Sequence, residues 1–389
     1  MMSGAPRGSD PGAVRGWGDG TRSVRAGEGP AVAGAPLRPS PVFAAPFHLA
    51  DLPPRAGGAD AYARTEHPTL REFESAVGEL DGGHCLSFAT GMAALTAAVL
   101  SCAGSGDRVV LPSDGYYTTR LLAAEELARF GIDVEYVPTP GIDAFAAEGG
   151  LDGVRLVLLE TPSNPQLDVC DIAAVARAAR AAGALVAVDN TTATPLGQRP
   201  LELGAHMTVG SDTKALTGHS DLLLGHVSTT DDALLARLTG FRNRTGSTPG
   251  PFEAWLGHRS MSTLDLRLAR QATNAAAVAA LLASTPSVGG VRWPWLPGDP
   301  SSALAAVQML RPNGVVSAEL PDADAVARLL AATRLWTAAT SFGGVHSSID
   351  RRAQWGADAV APGFVRLSCG IEDTDDLVED LERGLSAAA

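Results

Sequence analysis

The chain is almost without lysine. Of 30 Lys and Arg residues in a 389-residue sequence, Lys214 alone is lysine. Aromatic residues make up only 5%, and the four cysteines, Cys85, Cys102, Cys170 and Cys369, form no CxxC pair. That spacing excludes the common paired-thiol redox and zinc motifs, and it predicts reduced, buried thiols in a cytoplasmic protein. No apolar run is long enough to span a bilayer, and residues 1–30 lack the apolar stretch of a signal peptide. A basic stripe is also missing. With a formal net charge of −13 the chain repels phosphate backbones, which argues against a nucleic-acid partner.

Scarcity of lysine follows from a composition rich in Ala, Gly, Pro and Arg, but scarcity does not explain why one position keeps it. Arginine serves wherever only a positive charge is needed. It cannot serve where a neutral amine must attack a carbonyl, because the guanidinium stays protonated. The neighbours of Lys214, in VGSDTKALTGHSDLLLGHV (209–227), are Ser, Thr, Gly and His, which points to chemistry.

The length and a hydrophobic content of 45% allow two domains. Residues 1–60, dense in Pro, Gly and Ala, are expected to be a disordered N-terminus followed by an extended arm. Residues 61–250 then read as a large domain and 251–389 as a smaller one. Regular structure is expected to begin at HPTLREFESAVGEL, where Thr69 and Glu72 have capping-box spacing after Pro68. Apolar runs at 84–88, 107–111, 154–159, 184–189 and 206–210 alternate with helical patterns, such as DIAAVARAARAAG with Gly183 as its stop. Strands buried on both faces and alternating with helices make an α/β fold with a mainly parallel sheet. Chemistry in such sheets gathers at the carboxyl ends of the strands. The clusters TGM, DGYY, ETPSNP, DNTTATP and SDTK all fall there.

Asp189 ends an apolar run. Its carboxylate is either a turn cap or the partner of a cationic ring nitrogen, as pyridoxal phosphate requires together with an imine-forming lysine. Gly91 and Met92, at a strand-to-helix junction, offer backbone N–H groups for a phosphate, and Ser211 and Thr213 add hydroxyls. Tyr116, at another strand end, suits stacking or proton relay. Two readings compete. Ser211 and Lys214 spell the S-x-x-K of serine acyl-transfer enzymes, but one lysine leaves none for the K-T-G element of that mechanism. The other is a fold that only binds. His206, His219 and His226 lack partners in sequence for a metal set and read as structural.

The blocks ETPSNPQLDVCDI, VAVDNTTATPLGQRPLELGA, SDTKALTGHSDLLLGH, TPGPFEAWLGHRS, SFGGVHS and VRLSCGIED, in this order, resemble the pyridoxal-phosphate enzymes of cysteine and methionine metabolism, the cystathionine γ-lyase and γ-synthase group. The resemblance spans residues 21–387. It implies the fold-type I, aspartate-aminotransferase-like architecture, pyridoxal 5′-phosphate as cofactor, and a homotetramer of two dimers with shared active sites. Lys214 matches the lysine that bonds to the cofactor, Asp189 its ring-nitrogen partner, and Gly91, Met92, Ser211 and Thr213 the phosphate cradle. Tyr116 matches the stacking tyrosine. Tyr62 and Arg64 match a pair that reaches the phosphate across the dimer interface. Asn164, Ser341 and Arg366 match the positions that hold the substrate α-carboxylate. The implied activity is γ-elimination from cystathionine, with γ-synthase and methionine γ-lyase as alternatives. His346 stands where such lyases commonly carry glutamate, and His67 replaces an asparagine of the family pattern. Thr118 stands where methionine γ-lyases usually have cysteine. Arg351, Arg352 and Trp355 lie in a shortened segment and are expected to line the distal pocket with positive charge.

Overall fold

The computed structural model of the chain describes residues 16–49 and 60–389. A seven-stranded sheet forms its larger part. The strands are β1 (His84–Phe88), β2 (Arg108–Pro112), β3 (Asp133–Val137), β4 (Val154–Glu160), β5 (Leu185–Asp189), β6 (Met207–Gly210) and β7 (Gly225–Thr229). Their order is β1-β7-β6-β5-β4-β2-β3, and β7 alone runs antiparallel to its neighbours. Successive residues face opposite sides, the period-two rule of a strand. Leu156 and Leu158 join a core on one face with Val109, Leu111 and Met207. Val157 and Leu159 join a second core with Val186, Val188 and Ile172. Each such buried Leu or Val stabilises the fold by about 1.5–3 kcal/mol. Double-sided burial is why these strands read as unbroken apolar runs.

Five strands form the second sheet: β8 (Gly289–Arg292), β9 (Val315–Glu319), β10 (Thr337–Ala338), β11 (Ser348–Arg351) and β12 (Phe364–Ser368), in the order β10-β11-β12-β9-β8. Its core combines Val316, Val365 and Leu367 with Leu377, Leu381 and Leu385 of the last helix. The long helix Leu264–Ser284 serves both bodies. Leu264 and Leu268 pack with the large-sheet helices, whereas Val278 and Leu282 enter the core of the second sheet.

Several local expectations change. Residues 1–15 and 50–59 of the expected arm lie outside the described residues. Within the arm, Asp19–Arg25 forms a helix, α1, rather than extended chain. Seven residues are too few to be helical by propensity. Tertiary contacts hold α1: Arg22 Nη2 donates to Glu79 O and Leu80 O, and Asp19 Oδ2 accepts from Arg311 at 2.7 Å. The capping box also fails. In α2 (Pro68–Asp81) the cap is His67, whose Nδ1 accepts from Leu70 N at 3.2 Å, while Thr69 Oγ1 accepts from Val42 N of the arm. His67 thus does the capping that an asparagine does well. Gly183 does stop its helix, Ile172–Ala182, with φ of 76°. All four cysteines are free and buried.

Candidate active site

Parallel strands β1, β2, β4, β5 and β6 deliver their carboxyl ends to one edge of the sheet, so Thr90, Tyr116, Asn164, Asp189 and Lys214 come from distant sequence to one crevice. The lysine is the centre of it. Lys214 Nζ donates to Ser341 Oγ at 2.7 Å and lies 5.5 Å from the Phe342 ring centroid. Burial, with Arg366 and Arg352 nearby, pulls its ammonium down to about 8, against a smaller pull from Asp189 in the other direction. Near neutral pH a real fraction is therefore free amine. Ser341 reaches Nζ from a left-handed turn (φ 75°), followed by Gly343 at φ 78°. A Cβ on Gly343 would lie 2.6 Å from Ala215 N, so the second-sheet loop can approach the lysine backbone only without a side chain there.

Asp189 is held by the N–H of Thr191 at 3.0 Å. On the adjacent strand, in register with it, stands Glu160. Burial pushes both carboxyls up. Glu160 is displaced well above the usual range, first by burial and next by the charge of Asp189, against the pull of two backbone N–H groups. The sequence reading missed Glu160, although it ends an apolar run just as Asp189 does. Its two oxygens accept from Tyr116 N and Asn164 N, each at 2.7 Å. One carboxyl thereby fixes two candidate site residues. The Tyr116 ring meets Tyr117 edge-on at 5.1 Å.

The start of the helix after β1 meets the lysine loop. Thr90 caps α3 (Gly91–Leu100) by accepting from Ala93 N, and the N–H groups of Gly91 and Met92 have no protein acceptor among the described residues. A Cβ on Gly91 would come within 2.5 Å of Ser211 Cβ, so this helix start and the loop are in direct contact. Ser211 N donates to Thr191 Oγ1, leaving the Ser211 hydroxyl without a protein partner among the described residues. Thr213 differs. Its hydroxyl donates to Leu224 O and accepts from Leu224 N, so its proton is spent inside the loop. Free helix N–H groups, one hydroxyl without a partner among the described residues, an amine inclined to lose its proton and a buried carboxyl group at a strand end together fit pyridoxal phosphate.

The opposite wall comes from the second sheet. Arg366 on β12 stands directly across from Asp350 on β11. Its Nη1 donates to Asn164 Oδ1 at 2.6 Å, and Nη2 to Ser341 O at 2.8 Å and Asp350 at 3.2 Å. Its buried Nε has no partner among the described residues. Arg352 does not supply the free positive charge expected of it. It donates to Asp350 at 2.8 Å and to Asp358 at 2.6 Å, and Asp358 also receives Arg120 at 2.8 Å. Trp355 Nε1 donates to Asp350, and Arg351 reaches only Pro362 O. The segment brings its own counter-charges, because a guanidinium this buried is too costly unpaired. His346 is exposed.

Tyr62 and Arg64 lie apart from this cluster within the single chain. Arg64 stacks 5.5 Å from the Tyr62 ring centroid and donates to Asn243 O, and both are exposed. His206 and His219 make only backbone bonds, to Val186 N and Thr217 O. His226, in contrast, finds two carboxylates that sequence spacing hid, Asp81 and Asp212. Among the described residues no group of three or more His, Cys, Asp or Glu side chains is arranged to hold a metal ion.

Comparison with known proteins is decisive at this point. The family described as Cys/Met metabolism PLP-dependent enzyme matches residues 40–386. The chain belongs to this family. It is 52% identical to a putative cystathionine γ-lyase of Streptomyces coelicolor over 95% of this chain and 93% of that protein. It is 38% identical to a cystathionine γ-synthase of Mycobacterium bovis over 95% and 97% of the two chains. A crystal structure of a methionine γ-lyase from Micromonospora echinospora superposes with a TM-score of 0.87 at 36% identity, over 95% and 100%. The protein is thus a pyridoxal-phosphate enzyme of fold type I, with a mostly parallel main sheet and a second, smaller sheet body. No helix among the described residues is long and apolar enough to cross a membrane.

Proposed function

We propose that the chain is a γ-lyase that converts cystathionine and water to cysteine, 2-oxobutyrate and ammonia. The observation that carries this reading is the sole lysine, whose buried amine lies against Ser341 with Arg366 nearby and whose proton is loosely held. The family and its relatives support elimination or replacement at the γ carbon of sulfur amino acids, and the 52% relative favours the lyase direction.

Bound pyridoxal phosphate supplies an aldehyde that condenses with amines and a ring that delocalises the electron pair left at Cα. The chain's residues do the rest. The N–H groups of Gly91 and Met92 and the Ser211 hydroxyl hold the phosphate, with Tyr62 and Arg64 contributed by a second copy of the chain. Thr213 shapes this cradle through its bonds to Leu224. Asp189 would keep the ring nitrogen protonated, with Glu160 beside it in register on the next strand. Arg366, Asn164 and Ser341 receive the α-carboxylate, for which Arg366 has an unpartnered Nε ready. Lys214, as a free amine, would remove the Cα proton and then serve at Cβ. Tyr116 gives a proton to the departing sulfur. Shared phosphate contacts imply a dimer at least, and we propose a homotetramer in the cytoplasm. We also propose a large cofactor domain over 61–250 and a smaller domain over 251–389, with the helix Leu264–Ser284 packing against both.

Purified enzyme supplied with cystathionine, methionine, cysteine, or O-acylhomoserine plus cysteine tests the assignment, with 2-oxobutyrate and cystathionine as readouts. The lyase reading predicts the highest kcat/KM for 2-oxobutyrate release from cystathionine. Preferential formation of cystathionine from O-acylhomoserine would replace it with the synthase.

A further inference from the structure

Against the lysine loop lies a buried charged cluster that the reaction does not use. Asp212 sits between Ser211 and Thr213, and its Oδ1 is 2.5 Å from His226 Nδ1. His226 Nε2 lies 3.0 Å from Asp81 Oδ2 at the end of α2, an ion-pair contact off the ideal hydrogen-bond direction. Ser228 Oγ donates to the same Asp81 oxygen at 2.6 Å. His226, Asp81 and Asp212 are each at most 3% exposed. A neutral imidazole would set a lone pair against one of the two carboxylates, and although burial opposes the charge, Asp212 and Asp81 hold the imidazole well above its ordinary pKa. Asp212 further anchors the loop through its carbonyl, which accepts both Thr217 N and Thr217 Oγ1. Gly210, paired with His226 across β6 and β7, has room for no Cβ because the imidazole fills that space.

We infer that Asp81, His226 and Asp212 form a positioning clamp for Lys214: the imidazolium ties the 211–214 loop to β7 and to the end of α2, fixing the lysine relative to Asp189 and to the free N–H groups of α3. The inference rests on Lys214 being the cofactor lysine. A clamp suits this place because Ser211, Lys214 and Asp189 must keep their spacing while the amine bonds to one ligand after another. Burying two carboxylates and a cation costs several kcal/mol that a purely stabilising apolar trio would not incur. Support also comes from Asp189, whose carboxyl burial pushes up and the charge on His226 partly offsets.

Hydrogen exchange of the full-length protein, with and without pyridoxal phosphate, tests the clamp alongside cofactor affinity from the visible band. His226→Gln and Asp212→Asn are each expected to speed exchange at 211–218 by tenfold or more relative to the helix Thr374–Ala388, and to weaken cofactor binding roughly tenfold. Because His226 acts through Asp212, the double variant should lose no more affinity than the worse single. Asp212→Asn should also move the pH midpoint of the visible band by about one unit, since the loop that sets the spacing of Lys214 from Asp189 is released. Unchanged exchange at 211–218, additive losses in the double variant, or a lowered thermal midpoint with cofactor affinity and band midpoint intact would each overturn the clamp. Should His226→Gln fail to fold, Ser228→Ala removes only the hydroxyl bond to Asp81. It should speed the same exchange about fivefold, and no change there also overturns the inference. A wild-type protein that takes up no cofactor would instead sink the Lys214 reading and leave the apoprotein exchange result interpretable.

Discussion

The two walls of the crevice are built on opposite terms. The wall from the large sheet ends in groups left incomplete: the N–H groups of Gly91 and Met92, the Ser211 hydroxyl, and an amine brought down to about 8. The wall from the second sheet is nearly self-sufficient, since Arg352, Trp355, Asp350 and Asp358, joined by Arg120 from the large-sheet side, satisfy one another, and within this network Arg366 keeps an Nε without a partner among the described residues. Incomplete groups mark where a ligand is held, and completed networks mark where one is only shaped. The difference teaches that charge counted along the sequence misleads. Arg351 and Arg352 near the distal pocket looked like an anion receiver, but Arg352 finds its carboxylate partners, Asp350 and Asp358, in the same short segment, and Arg351 reaches only Pro362 O.

The comparison can be broken most severely on the incomplete wall. Lys214→Arg keeps the charge and removes the amine, and turnover is expected to fall about four orders of magnitude in a standard 2-oxobutyrate assay, with no covalently held cofactor. Activity near wild type would end the reading. On the other wall, Arg366→Lys replaces a planar fork by a point charge, and kcat/KM is expected to drop about a hundredfold, mainly through KM. A fall in kcat alone would place Arg366 elsewhere in the mechanism. Gly91→Ala forces a methyl against Ser211, a cost of about 2 kcal/mol that should appear as a roughly thirtyfold weaker cofactor Kd, measured by titrating apoprotein. The smallest effect belongs to the completed wall's exposed edge. Arg351→Ala should change kcat/KM for every substrate less than about twofold, and stability by no more than about 0.5 kcal/mol. Selective loss for acid-tailed substrates would restore the charged distal pocket.

Much of this arrangement was legible in the sequence where the physics is local. β4 and β5 are buried on both faces, so apolar runs ending at Glu160 and Asp189 mark the strands and the site edge together. β3 escaped because DVEYV is a half-exposed edge strand with little apolar contrast. β7 escaped because Leu222–Leu224 run into it without a break, and its antiparallel direction leaves no trace in one strand's residues. The helix α1 and the cap of α2 depended on contacts between the arm and residues far along the chain. Lys214, Asp189, Asn164 and Arg366 were named from their blocks, and the structure brings them to one crevice. Glu160 carried the same signal as Asp189 and was passed over. The Asp81–His226–Asp212 cluster carried none, since its members meet only when β7 pairs between β1 and β6.

One measurement reaches the centre of the account. Apoprotein mixed with pyridoxal phosphate at a series of pH values, reduced with borohydride and mapped by peptide mass, should carry one pyridoxyl group, on Lys214. The initial rate of labelling should rise with pH through about 8, as the free amine appears. A label distributed over the N-terminus with Lys214 unmodified, or no label at all, would contradict it.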